Sequence, residues 1–301
     1  MKSERLSFQD EINRNKMKSV MLIACVLVFF IAFGYVISLA LDPGYFFSIM
    51  ILAIILSVTY TIISYYNADK IALASVRAKP ADRIKHAALF NAVENMSIAS
   101  GLPMPRVFIM ESEQINAFAS GRDPRHAVIC VTTGALQKLN KQELEGVVAH
   151  EMGHVANFDI RFMTLTAIMV GLVAIAAEMF LRSLWFGGEK RDNGNAGAVL
   201  FVIAIFFAIL APIATQLIQF AISRKREFGA DASAVKFTRY SPGLRSALIK
   251  IKHDSFSQQD VKRYPKAVAP LFISDPFRKK LSALTSTHPP IEDRIRKLEK
   301  M

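Results

Sequence analysis

The sequence predicts an integral membrane protein of the α+β class, with about four transmembrane helices in two hairpins and a cytoplasmic domain of a small sheet and mostly helices. Three observations predict it. Two 22-residue runs without a charge, Val20–Leu41 and Tyr45–Tyr66, stand back to back around Asp42-Pro43-Gly44. The 301 residues are 52% hydrophobic, with a mean hydropathy of +0.30. Outside the apolar runs, helical periodicity alternates with short β-like runs such as RVFIM and AVICVT.

Each element has its own reason. An uncharged run of about 20 residues is long enough to cross about 30 Å of hydrocarbon as a helix. The Asp-Pro-Gly turn and the tyrosines at both ends of the second run complete a hairpin over residues 20–66. A signal peptide fits the first run poorly. It is too long, ends without a small-residue cleavage site and is followed at once by a second span. A second hairpin is expected over 163–222. Met163–Leu181 is apolar except for Glu178, and Ala196–Ile222 is apolar around Pro212, Gln216 and Gln219. Glu178 has Arg182 four residues on, which reads as an interfacial ion pair. Buried or interfacial helices are the alternative for this second pair.

Lysine and arginine set the orientation. Lys2, Arg5, Arg14, Lys16 and Lys18 precede the first run, Lys70, Arg77, Lys79, Arg83 and Lys85 follow the second, and Arg224–Arg226 follow the fourth. The first turn carries none, so both termini and the polar part are expected on the cytoplasmic side. The expected organisation is an N-terminal segment 1–19, hairpin 20–66, polar part 67–162, hairpin 163–222 and polar part 223–301. In the polar part, helical periodicity runs over Asp69–Asn95. Strands are expected at Arg106–Met110, Ala117–Ser120 and Ala127–Thr132, then helices to Leu139, over Lys141–Phe158 and from Ser241 onward.

The net charge is +12. With long uncharged runs and no basic domain with interleaved aromatics, it points to a bilayer and excludes a nucleic-acid partner. The two cysteines, Cys25 and Cys130, lie far apart in unlike surroundings. No disulfide framework is expected, and the polar part faces a reducing compartment.

The chemistry concentrates in GVVAHEMGHVANFD, Gly146–Asp159. On a helix, His150 and His154 at i and i+4 point the same way, so both imidazoles reach one metal ion. Glu151 lies at the rim of that site, placed to take a proton from an attacking water. Gly153 permits close packing. Flanked by small apolar residues, two buried histidines and an acid without a metal would be poorly satisfied. A third ligand must come from elsewhere, and Glu227, Asp231, His253 and His288 are the candidates. Glu227 and Asp231, i and i+4 in SRKREFGAD, present two carboxylates on one face. One suits a ligand and the other holds a ligating imidazole by its second nitrogen, so Glu227 is assigned the ligand role and Asp231 the support. A solvated charged helix, neutralised by Arg224–Arg226, is the plain alternative. Two crossings between His154 and Glu227 return the chain to the side it left, which favours the metal.

INAFASG (Ile115–Gly121), HEMGHVANFD, EFGAD and the late THPPIEDRI (Thr287–Ile295), in this order after an apolar hairpin, resemble the HtpX-like membrane metalloproteases, relatives of the prenyl-protein CAAX endopeptidases. The resemblance covers nearly the whole chain. It implies a zincin-like (gluzincin) domain and a zinc endopeptidase of the bacterial cytoplasmic (inner) membrane. Its expected work is hydrolysis of misfolded or damaged membrane proteins under stress, with one Zn2+ per subunit. It implies His150, His154 and Glu227 as ligands and Glu151 as general base. His288 and Arg294 match positions suited to stabilising the oxyanion. Asp159 matches an acid with a structural role. Asn116, Ala117, Phe118 and Ala119 match an edge strand on which substrate backbone pairs. The expected partners are unfolded polypeptide or membrane-protein substrates and the bilayer, with other membrane quality-control proteases as candidates. A CAAX-type prenyl-protein endopeptidase and a non-catalytic scaffold with structural zinc are the competing functions. Four spans are few for the first, and no cysteine near the motif closes a structural zinc shell for the second.

Overall fold

The structure is a computed structural model that describes residues 8–40, 44, 46–171, 205, 224–254, 265, 268, 271–274 and 290–301. It opens with a single helix, α1 (Phe8–Ala40), longer than the apolar run it contains. Residues 8–19, expected as a separate segment, continue the same helix. Their reason is a face: Ile12, Asn15, Ser19 and Leu22 recur at helical spacing and are all buried. Leu22 meets Phe162 and Leu165.

The second helix, α2 (Phe46–Tyr66), is built inside out. Ser57, Thr61 and Ser64 are buried, while Phe47, Ile51, Leu52, Ile55 and Leu56 are each more than half exposed. α1 and α2 pack against each other, and Thr61 satisfies its own hydroxyl on the Ser57 carbonyl at 2.8 Å. Among the described residues, α2 is the one helix long and apolar enough to cross a bilayer by length and composition. Of the expected second hairpin, residues 163–171 and 205 are described; the rest, with Glu178 and Arg182, lies outside the described residues.

The expected helical stretch 69–95 divides. Helix α3 (Ala68–Ser75) stops, Lys79–Pro80 forms a short strand β1, and α4 (Ala87–Ser100) follows. Pro80 cannot donate an interior helical hydrogen bond, and Ile84, counted in the apolar periodicity, is fully solvated.

The sheet has the order β1-β2-β4-β3, with β2 (Arg106–Met110), β3 (Ala117–Ser120) and β4 (Val128–Thr132). β2 and β4 run parallel with Arg106 opposite Val128, while β3 returns antiparallel with Ala117 opposite Val131. β4 is central and buried throughout, as its unbroken apolar run requires. Ile129 and Val131 face one core with α4 and α6; Val128 and Cys130 face another with α3, Val268, Leu271 and Phe272.

After a short α5 (Thr133–Lys138) comes α6 (Lys141–Ala156), the helix of the HEMGH motif. Its start is a capping box: Asn140 accepts from the Glu143 amide at 2.9 Å, and Glu143 accepts from the Asn140 amide at 2.8 Å. Ser246 and Lys250 of α9 (Ser241–Asp254) bind the same Glu143 carboxylate, each at 2.7 Å, which docks α9 on this end. Residues 159–171 continue as α7. α8 (Arg224–Thr238) lies along α6, and α10 (Ile291–Leu298) closes against α9 and α8. A Cβ on Gly153 would stand 3.1 Å from the Ala230 backbone, so this glycine is what lets α6 and α8 approach at the motif.

Candidate metal centre

The α6–α8 approach brings together the three residues that could hold an ion. The ligand atoms of His150, His154 and Glu227 all lie within 4.8 Å of one another, and all three residues are buried. His150 Nε2 is 3.7 Å from Glu227 Oε2, and His154 Nε2 is 3.7 Å from Glu227 Oε1. Ligands at about 2.0–2.2 Å around a tetrahedral ion stand about 3.3–3.5 Å from one another. The observed spacing therefore fits a metal with little movement. Two imidazoles and one carboxylate are also the donor set of a catalytic site with an open fourth position.

Both outer nitrogens are engaged by carboxylates, which leaves the inner ones turned toward Glu227, His150 Nε2 with Arg294 Nη2 also 3.4 Å away. His150 Nδ1 donates to Asp231 Oδ1 at 2.9 Å, and His154 Nδ1 donates to Asp159 Oδ2 at 3.0 Å. Asp231 thus holds the first imidazole, and Asp159 holds the second. Phe158, between helices, has φ 58°, a conformation that ends α6 and turns Asp159 back onto His154.

Arg294 is placed differently from the oxyanion role that the resemblance implied. It is fully buried and forks onto Asp231, with Nε to Oδ2 at 2.9 Å and Nη2 to Oδ1 at 2.7 Å. Nη1 lies 3.1 Å from Glu227 Oε2 and donates to the Ile273 carbonyl at 3.2 Å. Its donors are committed to the two acids of α8, so it holds the ligand set together rather than standing free for a substrate oxygen. His288 lies outside the described residues.

Sequence reasoning also passed over Asn15. Its side chain reaches from α1 to donate to Asp159 Oδ1 at 2.7 Å and to the Asn157 carbonyl at 3.0 Å. The available signal was one amide on the face that carries Ile12, Ser19 and Leu22.

The protonation pattern is uneven. Burial, helped by the Arg294 cation, pushes His150 down to about 4. Burial would lower His154 too, but Asp159, Glu227 and Glu151 outweigh it and push it up to about 9. Burial raises Glu151 to about 7, and Glu227 adds to the rise while His154 and the Ala119 amide oppose it. Glu151 Oε1 is buried without a hydrogen-bond partner among the described residues. A buried carboxylate poised near neutrality, with one oxygen uncommitted, is suited to accept a proton.

β3 is the edge strand of the sheet, and Ala119 donates its backbone N–H to Glu151, so the edge lies beside the site. Asn116, Ala117, Phe118 and Ala119 are nonetheless all buried. The chain's own residues 271–274 sit on this edge: the Ile273 amide donates to Ala117 at 3.0 Å and Asn116 Nδ2 to the Ser274 carbonyl at 2.9 Å. Phe118 and Phe272 form the bridge between them.

Residues 83–301 match the model of Peptidase family M48. The chain belongs to peptidase family M48. It is 46% identical over 271 residues to a Protease HtpX homolog of Caldanaerobacter subterraneus subsp. tengcongensis, covering 86% of this chain and 89% of that protein. The homolog of Dictyoglomus thermophilum is 39% identical over 295 residues, covering 98% and 95%. The crystal structure of S. mikatae Ste24p superposes with a TM-score of 0.46 at 17% identity, over 95% of this chain and 65% of that one. As an M48 peptidase the chain is a metalloprotease, and His150, His154 and Glu227 are the described residues that could hold its metal.

Proposed function

We propose that this chain is a zinc endopeptidase of the bacterial cytoplasmic membrane that hydrolyses peptide bonds of misfolded or damaged membrane proteins. The observation that carries the reading is the buried His150–His154–Glu227 triad with Glu151 beside it. The donor set suits Zn2+, one per chain. When bound, the ion lowers the pKa of water toward neutrality and polarises the scissile carbonyl. Glu151 takes the proton of the attacking water at its uncommitted oxygen and delivers it to the leaving amine. Asp231 and Asp159 keep both imidazoles in the tautomer that presents Nε2. With the Arg294 donors committed, His288 is assigned to the oxyanion. The outward apolar face of α2 supports a membrane setting, with the termini and the site on the cytoplasmic side.

Substrate backbone pairs along β3, exchanging with residues 271–274 now seated there. The test is Glu151→Gln in the detergent-solubilised full chain, assayed on casein beside a chelator control. Zinc content should stay near one per chain while kcat falls about 100- to 10,000-fold. Cleavage near the wild-type rate would remove Glu151 from the role of base.

A further inference from the structure

A second feature lies on the far side of Asp159 from the metal ligands. A small open pocket of about 50 Å³ is lined by Arg14, Asn15 and Lys18 of α1, Lys225, Arg226 and Gly229 of α8, and Asn157 and Asp159. Four cations thus converge on a space in which Asp159 is the one carboxylate. The crowding is felt within the protein: burial and the charges of Arg226, Arg14 and Lys225 together hold the Lys18 ammonium below its usual range. Arg226 is itself buried and fixed over the Phe162 ring at 5.1 Å. Gly229 is the second observation. It stands inside α8, where glycine costs about 1 kcal/mol relative to alanine. Yet a Cβ built on it meets nothing within 4 Å. Packing does not call for glycine at this position of the pocket lining. Lys18 also stands two residues before the apolar run that starts at Val20, the level of a headgroup layer.

We propose that this pocket binds a phosphate-bearing anion, either a phospholipid headgroup or free phosphate. Lysines and arginines converging from two helices supply the charge-assisted donors, and Gly229 adds no side chain to the lining. The site is separate from the metal ligands, and its test does not depend on cleavage.

The full chain in neutral detergent is titrated calorimetrically with sodium phosphate and with dihexanoyl-phosphatidylglycerol, ionic strength held constant with chloride. At least one probe should saturate. Lys18→Gln with Lys225→Gln should weaken it tenfold or more. Gly229→Leu keeps all four cations but fills the space, and should weaken it as much. Lipid binding tenfold tighter than phosphate assigns a headgroup; equal binding assigns the free anion. Failure of both probes to saturate overturns the site. So does wild-type binding by Gly229→Leu in a protein whose circular dichroism and melting are unchanged, since only a diffuse basic surface would behave so. If Gly229→Leu does not fold, the paired lysine variant decides, and unchanged affinity there overturns the proposal.

Discussion

The two imidazoles of the metal centre sit one helical turn apart, yet opposite ends of the chain hold them. His150 is fixed by Asp231 of α8, which is gripped in turn by Arg294 of α10. His154 is fixed by Asp159, five residues on, which is gripped by Asn15 of α1. The first support is a cation forked directly onto the carboxylate; the second is a neutral amide, with the Lys18 and Arg226 charges acting on Asp159 electrostatically. Burial, and then the Arg294 cation, push His150 down to about 4, while Asp159, Glu227 and Glu151 outweigh burial and push His154 up to about 9. The guanidinium opposes a second positive charge beside it; the amide does not, and the carboxylates around His154 prevail. Near-identical ligands on one helix are therefore shifted in opposite directions by their surroundings.

The comparison can be broken most forcefully at Arg294. Arg294→Met leaves Asp231 and Glu227 as buried carboxylates without their cation, which should cost about 3–5 kcal/mol in thermal or denaturant unfolding. Arg294→Lys keeps the charge but loses the fork and should fall between. A methionine variant as stable as the parent would show that this support is not electrostatic.

A smaller effect separates the two carboxylates. Asp159→Asn and Asp231→Asn should each weaken zinc binding about 10- to 100-fold in a competitive chelator titration. Asp231→Asn should be the worse of the two because it also strands Arg294; equal losses would erase the asymmetry.

The pH dependence of the chelator-stripped protein sharpens it further. His154 has a folded-state pKa raised from 6.5 to about 9. Its contribution to stability is complete below pH 6.5 and is lost as pH rises to about 9. His150, lowered from 6.5 to about 4, acts oppositely: its stability cost appears as pH falls through that interval. Melting of the stripped protein should thus decline above neutrality, and His154→Gln should flatten that limb. A limb that persists in the variant would assign it to another group.

The smallest effect is expected at Asn15. Asn15→Ala removes two hydrogen bonds, one to a carboxylate, and should cost about 1–3 kcal/mol of stability. Its loss of zinc affinity should be less than that of Asp159→Asn. A loss as large would make the amide, not the carboxylate, the main support.

Much of this centre was legible beforehand because it rests on local spacing. His150 and His154 share a helix face by their separation alone, and so do Glu227 and Asp231. The strands at 106–110 and 117–120 followed from apolar runs bounded by turn residues. The division of 69–95 was missed because Ile84 fits a helical period while pointing into solvent. The contacts of Arg294 are hidden for a related reason: in DRIRK it looks like any charge on a polar helix. Only a fold that buries it against two acids makes it a clamp. Asn15 was invisible as a support because its partners lie more than 140 residues away.

The sequence by itself determined which atoms could meet a metal, since helical periodicity is a property of the backbone and survives any packing. It also determined that α2 would be apolar enough for lipid, since composition needs no partner. Only the tertiary structure decided which nitrogen of each imidazole faces inward, which charge each carboxylate answers, and what lies against the edge of β3. Those depend on burial, and burial sets both the cost of leaving a charge unpaired and the identity of the neighbour that pairs it.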